Sequence, residues 1–429
     1  AHPSMPHFAV ATANSTLKVF DYLEKRVVSS QLLDKKSMGC SLCYSTDGTY
    51  LFMGLNTGVL KIFQSPDLQE VQELRISSYS AVNFIVVQDC YIGVSDASNC
   101  VTVLAKSVTG DTRGPDPQQG RSTWDAIGKF RAHQDGCLTG LAFCPNLKSK
   151  AGFSLFSVGE DGVLVEYDLD VPSENDDVDQ QAPVSAGLRI LGTAKSEQPG
   201  VATALMCINI SGNQPVLVVA DSEFKFRMYD PVTKECIKTV VGPTYSAPIT
   251  FLRPFQSATG SQFVAYGTKD RVVGLAKMPL DGNPKRAMGL IAHPSSIGEM
   301  RLTNDSRFML TAGGDEGVEN LWIMDSDAMD TSIAAHDSLK DRIAALNEGG
   351  YEGEFYYEIK DYFCYSQIRS QGEHTTQTRS ISDKIPLSEV PSLMRALGYY
   401  PSQTDLQDMR REINVRSHLH ARVCADYLA

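Results

Sequence analysis

No stretch of this chain is apolar for anything near the ~20 residues a membrane-crossing helix needs, so no helical span is expected. Basic residues are in the minority. The 39 Lys and Arg face 51 Asp and Glu, for a net charge of −12. That balance argues against nucleic acid or an anionic membrane as the main partner, because both select a basic face. Cysteine is sparse, ten in 429 residues and scattered, which suits a reducing cytoplasmic compartment with free, mostly buried thiols. Cys40 and Cys43 form a lone CxxC. It has no second pair at zinc-ligand spacing and no strand–CxxC–helix setting, so both are expected as core strand residues. The start, AHPSMPHFAV, has neither the basic nor the apolar segment of a signal peptide. It also has no initiator Met, so the chain is expected to be part of a longer protein. HExxH, GxSxG and Walker A patterns are absent; no catalytic residue, cofactor or enzymatic activity is expected. What the chain does have is 42% hydrophobic residues, enough for a core, and a length that suits two or three domains or one large repeat domain with an appendage.

One short pattern keeps returning: an apolar run, small residues, a polar turn, an alternating strand and a bulky end. Its seven instances end at Phe20, Phe63, Leu104, Tyr167, Tyr229, Leu275 and Trp322, with spacings of 43, 41, 63, 62, 46 and 47. Four of the six lie near the ~40–45 residues of a four-stranded propeller blade. The two long spacings contain polar insertions, 109–123 and 168–185. The second holds six acids and no base up to Gln181 and reads as a solvated loop. A small sheet cannot bury both faces alone, and stacking sheets radially covers them. The expected fold is therefore mainly β: one seven-bladed propeller over 1–325, with the first blade short of an upstream strand.

These residues resemble the WD repeat. His133 stands where that family has its Gly-His pair, and Ser157, Asp161 and Tyr167 follow at the places of strand Ser, turn Asp and Trp. His293 precedes Trp322 in the last instance, where Glu316 replaces the turn Asp. STDGTY (45–50) and TNDSRF (303–308) match the Asp-Gly turn. The resemblance implies a buried network in which His133, Ser157, Asp161, Tyr167, His293 and Trp322 tie blade strands together, a structural role rather than a catalytic one.

After Trp322 the pattern changes. A linker with a short helix is expected over 326–353. Phe355, Ile359, Tyr362 and Phe363 then form one helical stripe in 354–372. A second helix fits 387–398, with Val390, Leu393, Met394 and Leu397 on one side and Pro391 in its first turn. A third fits 402–413, starting at Ser402 and Asp405 with a stripe of Leu406, Met409 and Ile413. The tail, 354–429, resembles a calmodulin-like EF-hand pair. Mapped onto the calcium loop, Thr378, Ser380 and Ser382 fall at the early ligand positions, Asp383 at the turn glycine and Glu389 at the bidentate acid. Calcium needs several carboxylate oxygens; the early ligands here are hydroxyls, and the second loop, from Asn414, brings Arg416 and Arg422 and no acid. Both loops read as degenerate, with no metal bound. A calcium-free pair still offers a groove for a partner helix, expected to be lined by Leu387, Val390, Leu393, Met394, Leu397, Leu406, Met409 and Ile413.

The words YYEIKDYFCYSQIRSQGE (356–373) and IPLSEVPSLMRALGYYPS (385–402) resemble the C-terminal region of the cilia- and flagella-associated protein 251 family. That resemblance implies a non-enzymatic scaffold of the motile-cilium axoneme, in the calmodulin- and spoke-associated complex at a radial-spoke base. Implied partners are other subunits of that complex and of the spokes, calmodulin as a further candidate, and the doublet microtubule directly or through adaptors. A calcium-responsive regulator and a WD40 substrate adaptor of a ubiquitin ligase are the alternatives.

Overall fold

The structure, a computed structural model, describes residues 1–336 and 353–410 apart from positions 35, 109–121, 147–148, 170–187, 197–199, 211–213, 246, 258, 315, 373–374, 377, 383, 404 and 408. The chain divides into two compact units. One is Ala1–Asp325 apart from Ile237–Thr239, and the other contains everything from Ser326 onward.

The first unit holds seven antiparallel sheets in chain order, a seven-bladed β-propeller. Blade one has three strands, His7–Thr12, Thr16–Asp21 and Arg26–Leu32. Blade two has four, Gly39–Tyr44, Tyr50–Leu55, Val59–Gln64 and Gln69–Arg75. Blades three to six repeat that four-strand meander, and the repeat ends named above fall in or at the end of a third strand, except Phe20, which lies in the second of blade one's three strands. Blade seven has three strands, Ile297–Leu302, Phe308–Gly313 and Glu319–Ile323. The short first blade was legible in the repeats; the short last blade was not, because the repeat pattern covers only second and third strands. The 168–185 insertion joins Val163–Tyr167 to Ile190–Lys195, and 109–121 joins Cys100–Val108 to Ser122–Arg131. Most of both loops lies outside the described residues; positions 122 and 123, expected in the first loop, belong to the outer strand.

The cores lie between blades rather than within them. Leu17 and Val19 of blade one pack with Leu51, Met53 and Phe63 of blade two. Phe52, Leu60 and Ile62 of blade two pack with Ile85, Ile92, Val94 and Trp124 of blade three. The same pattern joins blades three and four, and blades four and five. Alternation on a pleated strand gives each sheet two apolar faces, and each face is covered by a neighbour. Approach is close enough that a Cβ at Gly140 would stand 2.6 Å from Leu205 Cβ and 2.8 Å from its backbone nitrogen, so only glycine fits there. Between the first and last blades, the Tyr22 and Phe308 rings meet at 5.5 Å.

Thiol burial differs from expectation. Of the nine described cysteines only Cys144 is buried. Cys40 is exposed and Cys43 half-buried: Cys40 falls at the register shift between Gly39 and Ser41, where the strand leaves its regular pairing.

In the second unit the helices are Ser326–His336, Glu354–Ser370 and Val390–Ala396. Pro391 lies in the first turn of the last, where its missing N–H is harmless. Residues 403, 405–407 and 409–410 are helical as well. Among the described residues no helix is long and apolar enough to cross a membrane.

Candidate functional site

The blade-four residues expected to form a network are brought together. His133 Nε2 lies 2.8 Å from Ser157 Oγ, which is 2.9 Å from the Tyr167 hydroxyl. On its other side, Nδ1 sits 3.0 Å from Asp161 Oδ1. Asp161 can only accept, so Nδ1 donates to it. A one-way chain then satisfies the rest: Tyr167 donates to Ser157, and Ser157 donates to Nε2. Asp161 also accepts the Val163 N–H at 3.0 Å, closing the turn between second and third strands. Burial pushes the Tyr167 phenol well above its ordinary value, which keeps it a donor. Asp, His and Ser are also the components of a hydrolytic triad, but Ser157 and His133 are both 0% exposed, which leaves no approach for a substrate. The arrangement ties three consecutive pieces of one blade.

Blade seven builds the same tie with other atoms. His293 Nε2 lies 2.9 Å from Thr311 Oγ1, and Trp322 Nε1 donates to that oxygen at 3.0 Å. Glu316 is one methylene longer than the usual turn Asp. It reaches past the ring, 3.6 Å from Nδ1, and accepts the Ser295 N–H and hydroxyl at 2.9 and 2.8 Å. The Ser295 hydroxyl, followed by its amide and His293, holds the Glu316 carboxyl below its usual range. Thr311 was missed in the sequence; its signal is the Ser/Thr position of the second strand that Ser157 occupies.

Blades three and five build a different tie, on an acid that ends the second strand. Asp96 Oδ1 accepts the Ser98 and Cys100 amides, and Oδ2 takes Lys129 Nζ at 3.1 Å. Asp221 Oδ1 accepts the Glu223 and Lys225 amides, and Oδ2 pairs with Arg227 Nη2 at 2.8 Å. Burial pushes the Asp221 carboxyl up; the Lys225 amide and Arg227 push it back down without cancelling the rise. Both acids end a second strand, in VSDASNC and VADSEFK, a shared offset that would have revealed them.

In the tail, two of the early loop positions, Ser380 and Ser382, are engaged by protein atoms. Gln367 donates to the Ser382 carbonyl at 2.7 Å and accepts the Ser382 N–H at 2.8 Å. Gln371 does the same at Ser380, at 2.7 and 3.0 Å. Two amide side chains, one helical turn apart, thus pair with alternate residues of an extended segment. Ser382 Oγ accepts the Lys384 N–H, and Glu389 Oε2 takes Arg369 Nε at 2.8 Å and also Nη2. Thr378 lies in the same segment. Among the described residues no group of three His, Cys, Asp or Glu side chains could hold a metal ion. Of the expected groove, Leu406 is buried, while Leu387, Val390, Leu393, Met394, Leu397 and Met409 are half-buried. Ile413, Asn414, Arg416, Arg422 and Asp383 lie outside the described residues. Ser402 and Asp405 cap each other's amides, at 2.9 and 3.2 Å, at the start of the expected third helix.

Residues 354–426 match the CFAP251 C-terminal domain. Cilia- and flagella-associated protein 251 of Tetrahymena thermophila is 31% identical over 439 aligned positions, covering 97% of this chain and 44% of that protein. The chain is a relative of cilia- and flagella-associated protein 251. The mouse protein of that name is 30% identical over 97% of this chain and 31% of its own length. The Chlamydomonas reinhardtii protein is 22% identical over 97% and 38%. The chain thus spans less than half the length of these curated relatives. A chain in the crystal structure of the mitotic checkpoint complex shares the fold, with a TM-score of 0.51 at 16% identity over 74% of this chain and 83% of that one. The aligned stretch of these curated relatives takes in both the ring residues and the tail residues of this chain.

Proposed function

We propose that the chain is a non-enzymatic scaffold of the motile-cilium axoneme, at the base of a radial spoke within the calmodulin- and spoke-associated complex. There it would contribute to spoke assembly and to regulation of dynein-driven motility. The observation that carries this reading is that 97% of this chain, tail domain included, aligns with cilia- and flagella-associated protein 251. The polar side chains that could do acid–base or nucleophilic work in blades four and seven are spent on holding strands, which suits a scaffold. Partners are expected to be neighbouring spoke and complex subunits, with a helix from one of them meeting the half-buried apolar residues of Val390–Ala396. The substitutions Leu393→Asp and Met394→Asp place two charges there. Pull-down from axonemes with the double variant should lose the tail partner while circular dichroism keeps the β signal of the ring. Unchanged capture would overturn the tail as the binding element, and absence of the tagged chain from axonemes would overturn the ciliary reading.

A further inference from the structure

Blades four and five meet through sulfur. Cys144 lies near the end of the blade-four inner strand, Leu138–Pro145, and Cys207 lies in the blade-five inner strand, Ala202–Ile210. Cys207 Sγ is 2.9 Å from Cys144 Sγ, a thiol–thiol contact between neighbouring sheets and across 63 positions of sequence. Each thiol is held by its own ladder: Cys144 stands opposite Ser154, and Cys207 opposite Leu217. The same two inner strands approach closely at Gly140 and Leu205, which fixes the spacing of the blades beside the sulfurs. Phe156, Leu205 and Leu217 pack into the core that Cys144 belongs to and that Cys207 leans against.

The two thiols are not equivalent. Cys144 is 0% exposed, whereas Cys207 is half-buried. The hydrogen bond from Cys207, and burial after it, push the Cys144 thiol up, so Cys144 stays protonated and shielded from solvent. Cys207 is therefore the sulfur that a small oxidant meets first. Packing alone accounts for a small apolar side chain at each of these places. It gives no reason for sulfur to face sulfur.

We propose that Cys144 and Cys207 form a reversible redox modification site, closed into an inter-blade disulfide by hydrogen peroxide. Cys207, as the thiolate, attacks one peroxide oxygen. The O–O bond breaks, Cys207 becomes a sulfenic acid, and the other oxygen leaves as hydroxide, which takes up the proton Cys207 had lost and becomes water. The Cys144 sulfur then attacks the Cys207 sulfur. The S–S bond forms, the S–O bond breaks, and the departing hydroxide leaves as water with the Cys144 proton. Two electrons pass from the thiol pair to the peroxide. Contact between the sulfurs makes the second step unimolecular, and a disulfide holds them about 2.05 Å apart, so little movement separates the two states. The bond joins the inner strands of blades four and five and encloses the 168–185 insertion in a covalent loop. In a reducing compartment it is transient, because a dithiol reopens it by exchange.

The test treats the full chain, dilute and folded, with hydrogen peroxide, blocks the remaining thiols and digests without reductant. Mass spectrometry should find the Cys144 and Cys207 peptides joined. Urea unfolding should shift to a higher midpoint, and dithiothreitol should abolish that shift. In Cys144→Ala the sulfenic acid has no partner, so dimedone labelling of Cys207 should rise several-fold over the parent chain; in Cys207→Ala, Cys144 should stay unlabelled. Should a variant lose the β signal in circular dichroism, the parent chain decides alone: oxidised in urea, its links should scatter over the exposed Cys40, Cys90, Cys137 and Cys236 as well. Absence of the joined peptide from the folded chain, the same scatter folded as in urea, or label on Cys207 that a folded Cys144→Ala does not raise would overturn the proposal.

Discussion

Asp221 and Arg227 are 1% and 3% exposed, and neither has water to fall back on. A buried pair is weak evidence of stability, because two desolvated charges roughly offset their attraction, yet breaking it is expensive. Arg227→Met should therefore lower stability by about 3–5 kcal/mol in urea unfolding, and Asp221→Asn on top of it should recover a substantial part. A double variant no better than the single one would mean that the turn amides, and not the charge, dominate. Glu316 offers a second measurement. Its carboxyl sits below the usual range, so its stabilising contribution is present above the ordinary unfolded value and is lost as pH falls through the lowered one. The Tm gap between the parent chain and Glu316→Gln should be open at pH 7 and should narrow as the acid titrates.

At the scale of elements, glutamine takes over where a ladder has no strand to use. Gln72 bonds both the N–H and the carbonyl of Trp124, linking the outer strands of blades two and three, each at 2.9 Å. Gln367 and Gln371 repeat that pairing in the tail. Gln367→Ala should release the Ser380–Ser382 segment, seen as faster proteolysis there with the helical signal of Glu354–Ser370 retained. The cost should be about 1 kcal/mol per bond lost. Gln367→Glu, which can accept from Ser382 but not donate, should fall between. The elements themselves were legible in the sequence: the stripe from Phe355 to Phe363 predicts a helix over 354–372, observed at Glu354–Ser370. The helix expected at 387–398 is shorter, Val390–Ala396, because Pro391 fixes its start. The network centred on His133 was legible because four residue types stand at repeat offsets. The glutamine pairings were not, since a side chain meeting backbone far away in sequence leaves no periodic mark.

At the scale of the molecule, the period of the repeats predicts the ring, since each inter-blade core needs the same strand alternation every ~40–45 residues. What the period cannot encode is how the circle closes, because closure depends on first and last blades that lack equal neighbours. For the chain as a whole, calorimetry with micromolar calcium should give no heat of binding. A measurable exothermic or endothermic isotherm would show that Glu389 leaves Arg369 for the ion.

The paired glutamines have a consequence for timing. An ion-gated loop changes shape when the ion concentration does, because its geometry is borrowed from something that diffuses away. Amide side chains do not titrate in the physiological range, are covalently attached to their helix and so cannot diffuse away, and salt screens them little. The segment held by Gln367 and Gln371 is therefore latched from the moment it folds. It should present the same face to its surroundings whether the ion is scarce or abundant.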